Sequence, residues 1–125
     1  MPASADSTLP QPDGALERAF RAVWDENRAA ISAKLALIEQ AVAALRDAEL
    51  DDELREQARS CAHMLNGSLG MFGFERAAEA ARELQSRLPA ATPAQSSTLA
   101  ALAASVRRGL EPELDAPPAG VPRRE

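Results

Sequence analysis

Between Ala15 and Leu50 the chain contains neither glycine nor proline, and its apolar residues recur in steps of three and four. Leu16, Phe20 and Val23, then Ile31, Leu35, Ile38, Val42 and Leu45 keep one phase, with Asn27 in the interrupted stripe position. Such spacing lays a single apolar stripe along one side of a helix. One long helix is therefore expected rather than two, with Asp25-Glu26-Asn27 as the place for a bend and Asp13 as its N-cap. Trp24 flanks the stripe and is expected to pack on a neighbouring helix.

Three further stripes follow. Leu50-Asp51-Asp52-Glu53 marks a break and a new start, with acidic residues where a helix dipole favours them. Leu54, Ala58, Cys61, Leu65, Leu69 and Phe72 then form a second apolar face, which Gly73 is expected to end, with Phe74 packing under the turn. Phe74, Ala77, Ala78, Ala81, Leu84 and Leu88 form a third, closed by Pro89. Thr92-Pro93-Ala94-Gln95 reads as a capping box with proline at the first helical position. The fourth face, Leu99, Leu102, Ala103, Val106 and Leu110, is expected to stop at Pro112. The composition agrees: 46% of residues are hydrophobic, only 3% are aromatic, and tyrosine is absent. The expected fold is all-α, an antiparallel up-down four-helix bundle over residues 13–111 with a long N-terminal helix. Residues 1–12 and 112–125 are expected to be disordered tails.

Several functions are disfavoured. A net charge of -5 is unsuited to a phosphate backbone, so nucleic acid is not the expected partner. No apolar run approaches the roughly 20 residues that span a bilayer, and the first residues lack the basic and apolar regions of a signal peptide. A single cysteine permits no internal disulfide and fits a reducing compartment, so a cytoplasmic location is expected. One His and one Cys are too few for a His/Cys metal site within one chain, and no metal is expected. The chain has no Walker loop, no dinucleotide fingerprint and no Cys-x-x-Cys pair. Lys34 is the only lysine among many arginines, a bias expected of a GC-rich genome.

What remains is His63, the only histidine. It lies two residues from both Cys61 and Leu65, hence about 160° from each around the helix axis, so it points away from the core. Cys61, on the inward stripe, reads as a small core residue and is on the wrong face to pair with His63. Gly67 falls about 40° from His63 and Gly70 about 20° from it. Glycine inside a helix costs roughly 1 kcal/mol against alanine. Two glycines beside one imidazole are explained by a bare surface that lets another macromolecule approach. An exposed imidazole presents an unprotonated ring nitrogen at neutral pH and can act as a nucleophile.

Ala62-His63-Met64-Leu65-Asn66-Gly67-Ser68-Leu69-Gly70 resembles the signature of histidine-containing phosphotransfer (HPt) domains, which relay phosphoryl groups in two-component signalling. Phe72-Gly73-Phe74, Ala80-Ala81-Arg82-Glu83-Leu84 and the order of helical segments are similar to that family as well, over roughly residues 15–110. The resemblance implies that His63 is the phosphoacceptor, exchanging a phosphoryl group with the aspartate of a response-regulator receiver domain. It implies a receiver or a hybrid histidine kinase as partner. It also implies a monomer without kinase activity and no cofactor of its own, Mg²⁺ being held by the receiver. Gly67 and Gly70 would admit the receiver's active-site edge, with Met64, Asn66 and Met71 beside them as docking residues. Ser68 is offset by about 140° and is expected to cap or pack. The family often carries a lysine three residues after the histidine. Here that residue is Asn66, and Arg59, four residues before His63, is the nearest substitute for the charge. The alternatives are an HPt-like module that docks a receiver or kinase without being phosphorylated, and a helical adaptor in which His63 is incidental.

Overall fold

Four α-helices account for most of residues 14–114, the part of the chain that the computed structural model describes. The first, α1 (Ala15–Arg46), is a single helix of 32 residues. Gly14 stands at its N-cap position with φ 104°, and the expected cap, Asp13, lies outside the described residues. No break interrupts α1 at Asn27, whose side-chain amide donates to the Val23 carbonyl four residues back at 2.8 Å. The helix stops at Arg46, short of Leu50, because Ala48 turns into the left-handed region at φ 58°. The turn is a Schellman motif, with Ala48 N–H donating to Leu45 O (3.0 Å) and Glu49 N–H to Ala44 O (2.7 Å).

The core stripe on α1 differs from the expected one at its N-terminal end. Trp24, Ile31, Leu35, Ile38, Ala41, Val42 and Leu45 are buried. Leu16, Phe20 and Val23 are 67%, 49% and 45% exposed. Trp24 takes the inward position and Val23, one residue before it and about 100° away, faces out. Residues 15–23 contribute no buried side chain to the core.

Helix α2 (Asp52–Met71) starts on Asp51, whose carboxylate accepts the Leu54 N–H at 2.8 Å. It ends in a second Schellman motif at Gly73, φ 87°, where the Phe74 N–H donates to Leu69 O (2.9 Å) and the Gly73 N–H to Gly70 O (3.1 Å). Helix α3 (Glu75–Arg87) follows at once, then a 3-10 turn over Leu88–Ala90. A second 3-10 turn, Pro93–Gln95, leads into α4 (Ser96–Leu114), with the Thr92 N–H donating to the Gln95 side chain at 2.9 Å. Contrary to expectation, Pro112 does not end α4, which runs through it to Leu114. The carbonyl that Pro112 leaves without an intrahelical donor belongs to Arg108, an exposed residue in the last turns. The two tails otherwise fall outside the described residues.

Each helix lies beside two others: α1 beside α2 and α4, and α3 beside α2 and α4. With short connections between successive elements, this is the expected four-helix bundle. Much of its core is alanine and leucine: Ala58, Ala62, Leu65 and Leu69 from α2, Ala77, Ala81 and Leu84 from α3, and Leu99, Val106 and Leu110 from α4 belong to one cluster of buried residues. Cys61 and Leu54 are partly buried against this core. One end carries the aromatic residues: Trp24 meets Phe72 edge-on at 5.0 Å and Phe74 at 5.2 Å, and Phe20 meets Phe72 edge-on at 5.3 Å. This cluster ties α1 to the C-terminal end of α2 and the start of α3. Arg55, in the first turn of α2, donates from Nη1 to Leu88 O (2.7 Å) and Ala91 O (3.0 Å), holding the chain where it leaves α3.

Two substitutions test these local arguments. Ala48→Gly removes the penalty of a left-handed alanine and should raise stability by roughly 0.5–1 kcal/mol, measured by urea unfolding. Arg55→Met keeps the apolar stem but takes the side-chain donor from the partly buried Ala91 carbonyl and leaves Leu88 O with the Ala91 N–H alone (3.3 Å), and should lower it by about 1–3 kcal/mol.

Candidate functional site

The site is built on the outward face of α2. Ala62, Leu65 and Leu69 are fully buried, and their positions leave His63, Gly67 and Gly70 exposed on the other side. A side chain added at Gly67 or at Gly70 would meet nothing within 4 Å outside the helix's own backbone. The fold thus does not need glycine at either position, since both lie in ordinary helix and in open space. What glycine provides there is a strip of uncovered backbone running C-terminally from the imidazole.

Met64 and Met71 are seven residues apart, hence on one side of α2, and are 44% and 71% exposed. Neither fills a gap between helices. Asn66 and Ser68 are half-buried. Beyond Met71, the ring contact of Phe72 with the half-exposed Phe20 continues the apolar surface onto α1.

Arg59 lies on the His63 face, one turn earlier, but its guanidinium is turned the other way. Nε and Nη2 donate to the two carboxylate oxygens of Glu56 at 3.0 and 2.7 Å, a two-point ion pair within one helical turn. The pair holds the Glu56 carboxyl below the usual carboxylate range and raises Arg59, in both cases chiefly through the shared hydrogen bonds. Among the described residues no hydrogen bond engages the side chain of His63 or Asn66. Glu56 was not apparent from sequence as part of the site. The Glu-x-x-Arg spacing at i, i+3 is the signal that marks it.

Cys61 sits two residues before His63 on the core-facing side, where burial raises its thiol and the coulombic pull of Lys34 only partly opposes this. It is protonated at neutral pH and is not a nucleophile. Among the described residues, no group of three His, Cys, Asp or Glu side chains is placed to hold a metal, and no helix is long and apolar enough to cross a membrane. A groove of about 530 Å³ lies between α1 and α4, lined by Val42, Ala43, Ala100 and Ala104 with Glu39 and Arg107 among its polar edges. No residue of α2 lines it. Arg107 and Glu39 bridge the two helices there by a two-point pair at 2.7 and 3.0 Å.

A family model described as Hpt domain matches residues 23–115, which includes α1 from Val23 onward and the whole of α2, α3 and α4. No curated protein and no solved structure matches the chain.

Open space at the two glycines separates stability from access. Gly67→Ala and Gly70→Ala should each raise stability by up to roughly 1 kcal/mol, read as a higher urea midpoint at unchanged slope. Gly67→Gln, with a long side chain beside the imidazole, should leave the helical circular dichroism intact and obstruct any macromolecule that approaches His63.

Proposed function

The chain belongs to the Hpt domain family, and from that premise we propose that it is a phosphorelay intermediate whose phosphoacceptor is His63. Hpt domains in general are phosphotransfer intermediates of two-component systems and interact with receiver domains and histidine kinases. The observation that carries the finer reading is the outward face of α2, where an exposed imidazole has two uncovered glycines on its C-terminal side.

In the proposed step a ring nitrogen of His63 attacks the phosphorus of an aspartyl phosphate on a receiver domain. The P–O bond to the aspartate breaks, the receiver regains its carboxylate, and the ring's remaining N–H proton passes to solvent. The reverse step returns the phosphoryl group. Phosphoryl transfer asks little covalent chemistry of the protein beyond positioning and charge stabilisation. Here the chain supplies the nucleophile and the access, and the receiver supplies Mg²⁺ and the charge-stabilising groups. Gly67 and Gly70 let the receiver's edge reach the helix, Met64 and Met71 offer it an adaptable apolar surface on one side of that strip, and Asn66 lies on the other. Arg59 is the cation assigned to the phosphoryl group. The protein acts in the cytoplasm as a monomer, with no kinase activity of its own.

A second reading, a module that docks a receiver or kinase without being phosphorylated, is favoured by Asn66 in place of a lysine and by the engagement of Arg59 with Glu56. Incubation with a phosphorylated receiver separates the two. The relay reading expects an acid-labile, alkali-stable label on the wild-type chain and none on His63→Gln. Binding to cognate receivers with no label transferred from any of them overturns it in favour of docking alone.

A further inference from the structure

The cation nearest to His63 in sequence on its own helix face is already occupied. Arg59 gives both arms of its fork to Glu56, in a pair whose side chains are 33% and 65% exposed. Exposed pairs of this kind hold their partners weakly, within roughly a factor of five. Glu56, Arg59 and His63 stand at i, i+3 and i+7, so all three share one face of α2. Side chains on a helix lean toward its N-terminus, so the imidazole lies over the turn that carries Arg59, while Arg59 leans in turn over Glu56. Residues four apart have Cβ atoms about 5–6 Å apart, well within the reach of an arginine.

We infer that Glu56 is a positioning residue that holds Arg59 away from His63 until a phosphoryl group arrives, whereupon the guanidinium moves one turn along α2 to the phosphoryl oxygens. The exchange rests on the relay reading above. It trades one carboxylate charge for the charge of about -1.5 to -2 on a phosphoryl group, which also accepts a two-point pair. Because the guanidinium must leave a partner first, Glu56 lowers the preference of the chain for its phosphorylated form. In the empty state the same pair keeps a free cation off the face that the receiver approaches. Glu56 itself lies about 10 Å along the axis from His63, beyond the range at which an exposed charge acts strongly through water. Its influence on the phosphoryl group therefore runs through Arg59.

The test phosphorylates the whole chain with phosphoramidate, which needs no protein partner. A ring nitrogen of His63 attacks phosphorus, the P–N bond of the reagent breaks, ammonia leaves, and the ring's remaining N–H proton passes to solvent. The phosphoryl group is then titrated by ³¹P NMR, since a cation beside it favours the dianion and lowers its pKa. Arg59→Gln should raise that pKa relative to wild type, and Glu56→Gln should lower it by about 0.3–0.7, the logarithm of a two- to five-fold release of Arg59. The double variant should behave as Arg59→Gln alone. Equal values for wild type and Glu56→Gln overturn the inference. So does a Glu56→Gln shift that persists undiminished in the Arg59→Gln background, because the carboxylate would then act directly. Failure of phosphoramidate to modify His63 overturns it as well. A chain that is modified by phosphoramidate but by no phosphorylated receiver instead refutes the relay reading.

Discussion

The site depends on the rotational setting of α2. Ala58, Ala62, Leu65 and Leu69 occupy the bundle interior, and His63, Gly67 and Gly70 are left outside by the period of the helix alone. Turning α2 by one residue, about 100°, would expose two leucines at roughly 1.5–3 kcal/mol each and drive an imidazole toward an apolar core. Three restraints oppose such a turn. The Asp51 cap fixes the start of the helix, the Arg55 guanidinium ties its first turn to the carbonyls that follow α3, and the Trp24 ring packs edge-on against Phe72 at its far end. The small alanine side chains buried on α2 and α3 leave room for the two helices to pack closely.

The order of the helices and the outward direction of His63 were legible in the sequence because both follow from spacing. Steps of three and four over many turns are a redundant signal, and one residue out of phase changes little. At the N-terminal end of α1 that redundancy ends. Leu16, Phe20 and Val23 continue the period seen further on, yet it is Trp24 that enters the core. A pattern records which residues share a face, not how far the neighbouring helices extend to cover it. Ala48 and Arg55 were invisible for a different reason. Alanine carries no mark of a left-handed turn, and the partners of Arg55 are backbone carbonyls 33 and 36 residues away. The passage of α4 through Pro112 belongs here too: proline removes its own donor and its ring crowds the carbonyl four residues back, and at a helix end that carbonyl can turn to solvent.

The glycines show how a stability cost and an access requirement meet at the same atoms. A buried glycine is often explained by a close neighbour, but Gly67 and Gly70 have none. Their expense in helix propensity is unrecovered inside this chain, and the function proposed above accounts for it through a partner that approaches the bare backbone. Met64 and Met71 point the same way. Large apolar side chains that the core does not use are common singly on a surface. Here, though, both methionines flank the histidine strip, and Phe20 joins the same end through Phe72.

Charge is the one respect in which this face does not favour the phosphoryl group proposed for it. The uncovered strip holds no basic residue: Asn66, three residues after the histidine, is neutral, and the arginine one turn back is bound to a carboxylate. A lysine three residues after the histidine would be permanently beside the imidazole, attracting phosphate but also raising the positive potential of the empty site. In the proposed exchange, an arginine shared between Glu56 and the phosphoryl group would supply its charge only when there is charge to meet. The two arrangements differ in where the transfer equilibrium rests, because the shared guanidinium must give up one partner to gain the other. Weak pairing at an exposed position is what makes that exchange feasible, since a buried pair would not let go.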